Sequence, residues 1–279
     1  MSCIFDQANF IRIHLMQTES TNLSLREAID DSTSPQMIGE PGAGAPELPE
    51  YFTITAAFQT GGRGQRGNSW ESEPKKNLLM STLLQPDFLP VAEQFRISQV
   101  VSLAVAEALG KLAPESRFTV KWPNDIYCGE KKICGILIEH DLCPSGIRHS
   151  IIGIGINVNQ EEFRSDAPNP VSLLQILGRE VQTDLVLSHV MACLKRHYEQ
   201  LRADYGSGTY TGNLDAEYAR RLYRNDQAPH PFADGRGTFR AVIDHVEPDG
   251  QLFLRRDDGT LGGYYFKEVE YLPEHPANS

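Results

Sequence analysis

The chain has 279 residues, with 26 lysines and arginines against 37 aspartates and glutamates, a formal net charge of −11. That balance argues against a nucleic-acid partner, because neutralising phosphates calls for a basic face. A hydrophobic fraction of 40% and no apolar run near the roughly 20 residues that span a bilayer point to a soluble globular protein. The opening MSCIFDQANFIRIHL lacks the basic-then-apolar pattern of a signal peptide, so a cytoplasmic location without a membrane partner is expected.

In chain order, residues 31–50 are rich in Pro, Gly and Ser without apolar periodicity and read as a flexible insertion after a first helix. Tyr51 to Gln59 alternates as a strand, with Phe52, Ile54, Ala56 and Phe58 on one side. Val91 to Ala113 carries apolar residues at helical spacing and ends before Pro114, which predicts a core helix. Strands are predicted at Phe118 to Trp122, Ile133 to His140 and Ser150 to Val158, joined by turns suited to hairpins. Thr183 to Tyr205 predicts an amphipathic helix burying Leu185, Val186, His189, Val190, Cys193, Leu194, His197 and Leu201. Beyond Asn225, short strands at Gly237 to Ile243, Gln251 to Arg255 and Tyr264 to Val269 suggest a small β domain.

Three stretches carry chemistry. Gln59 to Trp70 (QTGGRGQRGNSW) runs from a strand end into four glycines interleaved with Arg63 and Arg66, a pattern that brings backbone N–H groups and guanidinium charge to a phosphate. A plain flexible connector is the competing reading. Lys121 to Asp125 (KWPND) and Lys131 to Glu139 (KKICGILIE) place a carboxylate beside lysines, which suits nucleotide chemistry as well as a simple turn. In Ile151 to Val158, period two puts Gly153, Gly155 and Asn157 on one face, so a ligand or a closely packed helix lies flat there. Lys75, Lys76, Lys121, Lys131 and Lys132, five of the eight lysines, lie in or close to these stretches, consistent with a confined anion pocket or a solvated surface. The five cysteines form no CxxC pair and the histidines no HxxxH spacing, so neither a disulfide framework nor a protein-held transition metal is expected.

GRGQRGNSW, KWPNDIY, KKICGILIE and IGIGINV, in this order and with Glu19-Ser-Thr-Asn22 upstream, resemble the signature of biotin protein ligases. The resemblance covers nearly the whole chain. It implies an α+β fold, a mixed β-sheet packed with helices over residues 1–225, followed by an SH3-like β domain over 226–279. It also implies biotin and ATP as substrates with Mg²⁺, and a biotin carboxyl carrier protein or domain as partner of a monomer or homodimer. By matching position, Ser20, Thr21, Asn22, Gln59, Gly62, Arg63, Gly64, Gln65, Lys132, Gly153 and Gly155 are the implied biotin-binding residues. Arg63, Arg66, Trp70, Lys121, Asn124, Lys132 and Asn157 are implied for ATP or the adenylate. Lys132, Asp125 and Arg63 carry the chemistry, with Asp125 also toward the metal. Gln65 and Asn68 stand where many members have Arg, which shifts the retaining charge to Arg63 and Arg66. Bifunctional members carry a winged helix-turn-helix before ESTN, for which the stretch before Ser20 is too short. Lipoate ligases share the fold and acyl-adenylate chemistry, but the GRGQRG and KWPND wording favours biotin. A non-catalytic adenylate-binding regulator is the reading from another class, and Lys132 and Asp125 speak against it.

Overall fold

The computed structural model describes residues 2–5, 10–33, 47–65, 68–164, 169–208 and 210–274. An eight-stranded mixed sheet runs in the order β1-β2-β3-β4-β8-β7-β6-β5. Its strands are β1 Ser2–Phe5, β2 Ile11–Leu15, β3 Thr53–Ala56, β4 Leu78–Leu84, β5 Phe118–Lys121, β6 Asp125–Cys128, β7 Lys131–Cys143 and β8 Gly146–Ile156. Only β2 and β3 pair in parallel. Their crossover carries α1, Thr21–Thr33, as a parallel pair requires a long connection.

The two faces of this sheet are used differently. On one, α2 (Phe95–Leu112) and α4 (Thr183–Gly206) pack over the large core that contains Met80, Ile152, Ile154 and Ile156. On the other, α1 covers a smaller cluster in which Leu25 and Ile29 meet Ile54, Leu83 and Ile151. Each such side chain taken from water contributes about 1.5–3 kcal/mol. The smaller cluster ends at Ile151. Next along β8 on that face come Gly153 and Gly155, so one face is filled at one end and left open at the other.

A second, antiparallel sheet has the order β12-β11-β10-β9-β13, formed by β9 His230–Asp234, β10 Gly237–Val246, β11 Leu252–Arg256, β12 Leu261–Tyr264 and β13 Val269–Tyr271. A mixed sheet with helices and a small terminal β unit is the predicted architecture. The β unit does not stand apart, for Phe232, Ile243, Leu252 and Leu254 belong to the same apolar core as α2 and α4. Trp122 joins the two sheets: its buried indole donates to the Gly250 carbonyl at 3.0 Å and meets the Phe266 ring.

Several elements differ from their sequence-based bounds. Of the expected 31–50 insertion, Asp31 to Thr33 continue α1, and Glu50 accepts from Arg202 and from the Gln85 N–H; residues 34–46 lie outside the described residues. The helix expected from Val91 begins as a 3-10 turn, Val91–Glu93, before α2 proper. Leu185, expected on the buried face of α4, is 46% exposed, whereas Leu187, Met191 and Tyr198 are buried. The predicted strand Tyr264 to Val269 is two strands parted by a tight turn in which Lys267 has φ 76°.

Trp122→Phe removes the indole donor and leaves the Gly250 carbonyl without it in a packed interface. A loss of about 1–3 kcal/mol is expected, read as a lower urea midpoint at unchanged m-value; an unaltered midpoint would show that the inter-sheet hydrogen bond contributes nothing.

Candidate active site

The open end of the α1-facing side is built by register. Across β6, β7, β8 and β4, Asp125, Gly135, Gly155 and Leu79 are successive partners in one row. Leu137, Gly153 and Ser81 form the next row. The two partnered glycines make a floor with no side chain. On it lies the Trp70 indole, with atoms 2.6 Å from where a Gly155 Cβ would stand and 2.9 Å from that of Gly135. Asn22 lies over Gly153, its Oδ1 2.2 Å from a Cβ there. Gly153 thus lies under a residue of the closely packed helix α1, and Gly155 under the indole of the glycine loop.

Beside this floor is a compact set of polar groups. Ser81 Oγ lies 2.7 Å from Thr21 Oγ1 and 2.6 Å from Asn22 Oδ1, with its one proton available to either. Gln59 Oε1 accepts from the Thr21 N–H at 2.8 Å and its hydroxyl at 3.0 Å. Thr21 opens α1, where the first N–H groups have no partner within the helix, and Gln59 satisfies one of them. Asn22 Nδ2 donates to Glu139 at 2.7 Å. All of Ser20, Thr21, Asn22 and Ser81 are buried.

The glycine loop closes over this set as an irregular hairpin. Trp70 N–H donates to the Gly62 carbonyl at 2.9 Å and Gly64 N–H to that of Asn68 at 2.7 Å. A Cβ at Gly62 would stand 2.5 Å from the Trp70 carbonyl, so the close approach requires glycine there. Arg63, half-exposed, points its guanidinium toward Glu139 at 3.9 Å. Lys132 Nζ lies 2.7 Å from Asp125 Oδ2 and 5.9 Å from the Trp70 ring centre. The Trp70 Nε1 is buried without a hydrogen-bond partner among the described residues, a cost on the order of 1–3 kcal/mol.

A cavity of about 100 Å³ is lined by Ser20, Thr21, Asn22, Gln59, Arg63, Gly64, Gln65, Trp70, Asn124, Asp125, Lys132, Gly153 and Gly155, thirteen of the residues singled out in the sequence. A second, of about 1110 Å³, shares Trp70, Asp125, Lys132 and Phe266 with the first and adds Lys121 and Asn157. Trp70 therefore stands between the two. Lys121 Nζ donates to the Tyr127 hydroxyl at 3.2 Å and faces the Tyr127 and Tyr271 rings; burial lowers its pKa, so it is a cation whose charge would be favoured by an incoming anion. Asn157 spends Nδ2 on the Val171 carbonyl, and Asn124 donates to that of Ile136. Gly62 shapes the loop without lining either cavity. Arg66 lies outside the described residues. Sequence reading missed Ser81, Gly135 and Phe266. Ser81 sits inside an apolar strand, and only pairing brings it beside Thr21 and Asn22.

A profile of the biotin/lipoate A/B protein ligase family matches residues 30–157. The biotin–acetyl-CoA-carboxylase ligase of Paracoccus denitrificans is 30% identical over 220 residues, 77% of this chain and 88% of that protein. The chain belongs to this family. The bifunctional ligase/repressor BirA of Bacillus subtilis is 31% identical over 229 residues, which span 80% of this chain and 66% of that protein's length. The family fold extends to both sheets: the biotin protein ligase of Aquifex aeolicus, solved with biotin and ATP, superposes with a TM-score of 0.71 at 23% identity, covering 94% of this chain and 99% of that one. Among the described residues no helix is long and apolar enough to cross a membrane.

Gly155→Ala puts a methyl group where the indole lies, so Trp70 has to leave the floor. Because Trp122 is the only other tryptophan, a red-shifted emission with stability changed by less than about 1 kcal/mol is expected. Parental emission in the folded variant would mean that the indole does not rest on Gly155.

Proposed function

We propose that the chain is an ATP-dependent biotin protein ligase of the cytoplasm, which forms biotinyl-5′-AMP with release of pyrophosphate and transfers biotin to a lysine of a biotin carboxyl carrier protein or domain. The observation that carries this reading is the row Asp125, Gly135, Gly155: a side-chain-free floor with the Lys132–Asp125 pair at one end and the Thr21, Asn22, Ser81 and Gln59 set beside it. A ureido ring offers two N–H donors and a carbonyl acceptor, and that set supplies both acceptors and donors in a buried place. The apolar dithiolane of lipoate would leave those groups unpaired, which favours biotin over the sister substrate.

The first step joins a biotin carboxylate oxygen to the α-phosphorus of ATP and breaks the bond to pyrophosphate. Lys132 and Arg63 supply positive charge where it develops, Lys132 held in place by Asp125 at 2.7 Å. Lys121, with Trp70 and Asn157, serves the nucleotide side of the larger cavity. Magnesium belongs to the MgATP substrate. Asp125, a carboxylate that borders both cavities, would face the ion that the phosphates bring.

In the second step the acceptor amine attacks the acyl carbon and AMP leaves. A lysine with a pKa near ~10.4 is mostly protonated at neutral pH, and Asp125, the carboxylate at the edge of the floor, is placed to accept its proton. The glycine loop over the anhydride excludes water.

Pyrophosphate release that requires biotin, ATP and Mg²⁺ together tests the reading, and release with lipoate instead would replace it. Lys132→Ala is expected to lower that rate by about 10²-fold or more with the fold intact; near-normal turnover in a folded variant removes the assignment. Arg63→Ala should loosen the adenylate, so that unrelated proteins become biotinylated in trans. A variant that is slow but retains adenylate as the parent does would exclude the clamp.

A further inference from the structure

Glu139 follows Gly135 and Leu137 on the same face of β7, yet it is not among the residues that line either cavity. Its Oε2 accepts from Asn22 Nδ2 at 2.7 Å, and the same oxygen lies 3.9 Å from the Arg63 guanidinium. One carboxylate oxygen thus touches a residue of the α1 pocket and the arginine of the glycine loop.

The Asn22 contact has a directional consequence. An ionised carboxylate only accepts hydrogen bonds, so the amide must turn Nδ2 toward Glu139 and Oδ1 toward Ser81 and Gly153. The Leu137 carbonyl accepts from the same Nδ2 at 3.4 Å, a longer contact that Glu139 reinforces, and Ser81 does not fix the sense, because a hydroxyl both donates and accepts. With the amide so turned, anything lying over Gly153 meets an acceptor. The Arg63 contact has a different effect. At 47% and 34% side-chain exposure this ion pair contributes little to stability. It does narrow the directions open to a long side chain on a glycine loop, which reduces the ordering cost when the guanidinium engages an anion.

We propose that Glu139 is a positioning residue for the ligase reaction, setting through one oxygen both the polarity of the Asn22 amide toward a ureido N–H and the placement of Arg63 over the acyl-phosphate. The inference rests on the ligase reading. It links the two halves of the site, so the biotin pocket and the adenylate clamp share an anchor on the rigid β7 strand.

Glu139→Gln keeps an acceptor for Asn22 and removes the counter-charge of Arg63, whereas Glu139→Ala removes both. In the full-length protein, the Gln variant should release biotinyl-adenylate about fivefold faster with the biotin KM within about threefold of the parent. The Ala variant should release it as fast and also raise the biotin KM about tenfold, with kcat at saturating substrates within about threefold. Combined with Arg63→Ala, the Gln change should add no further leak, since it acts through that arginine. Parental KM and release in Glu139→Ala overturn the proposal. So do equal losses of kcat and melting temperature in both variants with KM and release unchanged, which mark a purely structural role. A leak that adds to that of Arg63→Ala overturns the Arg63 part. A parent that releases no pyrophosphate brings down the ligase reading and this inference with it, whereas an active parent beside unaltered variants overturns Glu139 alone.

Discussion

The chain can bring a flat group against the backbone because two glycines, Gly135 and Gly155, are partners on adjacent strands. A side chain at either would project into the space the Trp70 indole now fills. Everything that acts on that space is placed relative to it. Asp125 continues the row on β6, Ser81 and Gly153 form the row beside it, and the loop from Gln59 to Trp70 closes above. Central strands of a sheet buried on its other face by α2 and α4 cannot shift register without exposing Met80, Ile152, Ile154 and Ile156, so the register of the floor is fixed.

The second sheet bears on the same place. Trp122 opens the turn between β5 and β6, and its hydrogen bond to Gly250 ties that turn to the C-terminal β unit. Asn124 and Asp125 follow after Pro123, so the carboxylate beside Lys132 is held from two sides. Phe266 lines both cavities and meets Trp122 edge-on. The terminal β unit therefore works as a wall of the site, which its small size alone would not suggest.

Charge shows the same economy of placement. The chain is acidic as a whole, yet Arg63, Lys121 and Lys132 converge around the two cavities. Each has a different restraint: a loose carboxylate for Arg63, tyrosine rings and a hydroxyl for Lys121, and a close ion pair for Lys132. An exposed cation, a desolvated one and a closely paired one would suit respectively the proposed clamp, nucleotide neighbour and reacting centre.

Much of this was legible in the residues themselves. The helical spacing of α2 and α4, the period-two glycines of β8 and the turn chemistry of the terminal strands are local patterns, and local sterics and burial determine them. Most of the motif residues from Ser20 to Gly155 that line the smaller cavity stood out by their types and order. What pairing decides was not legible. Gly135 is an ordinary strand glycine until β8 sets it opposite Gly155, Ser81 is a polar interruption in an apolar strand until it meets Thr21 and Asn22, and Glu139 is a motif's last letter until Arg63 and Asn22 reach one of its oxygens. The sequence by itself determined most of the elements and which residue types stand together in the motifs, because those follow from short-range periodicity and residue type. Only the tertiary structure decided which residues share a row, which side chain lies on the floor and which carboxylate meets both Asn22 and Arg63, because strand register and contacts between residues far apart in sequence leave no period in the chain.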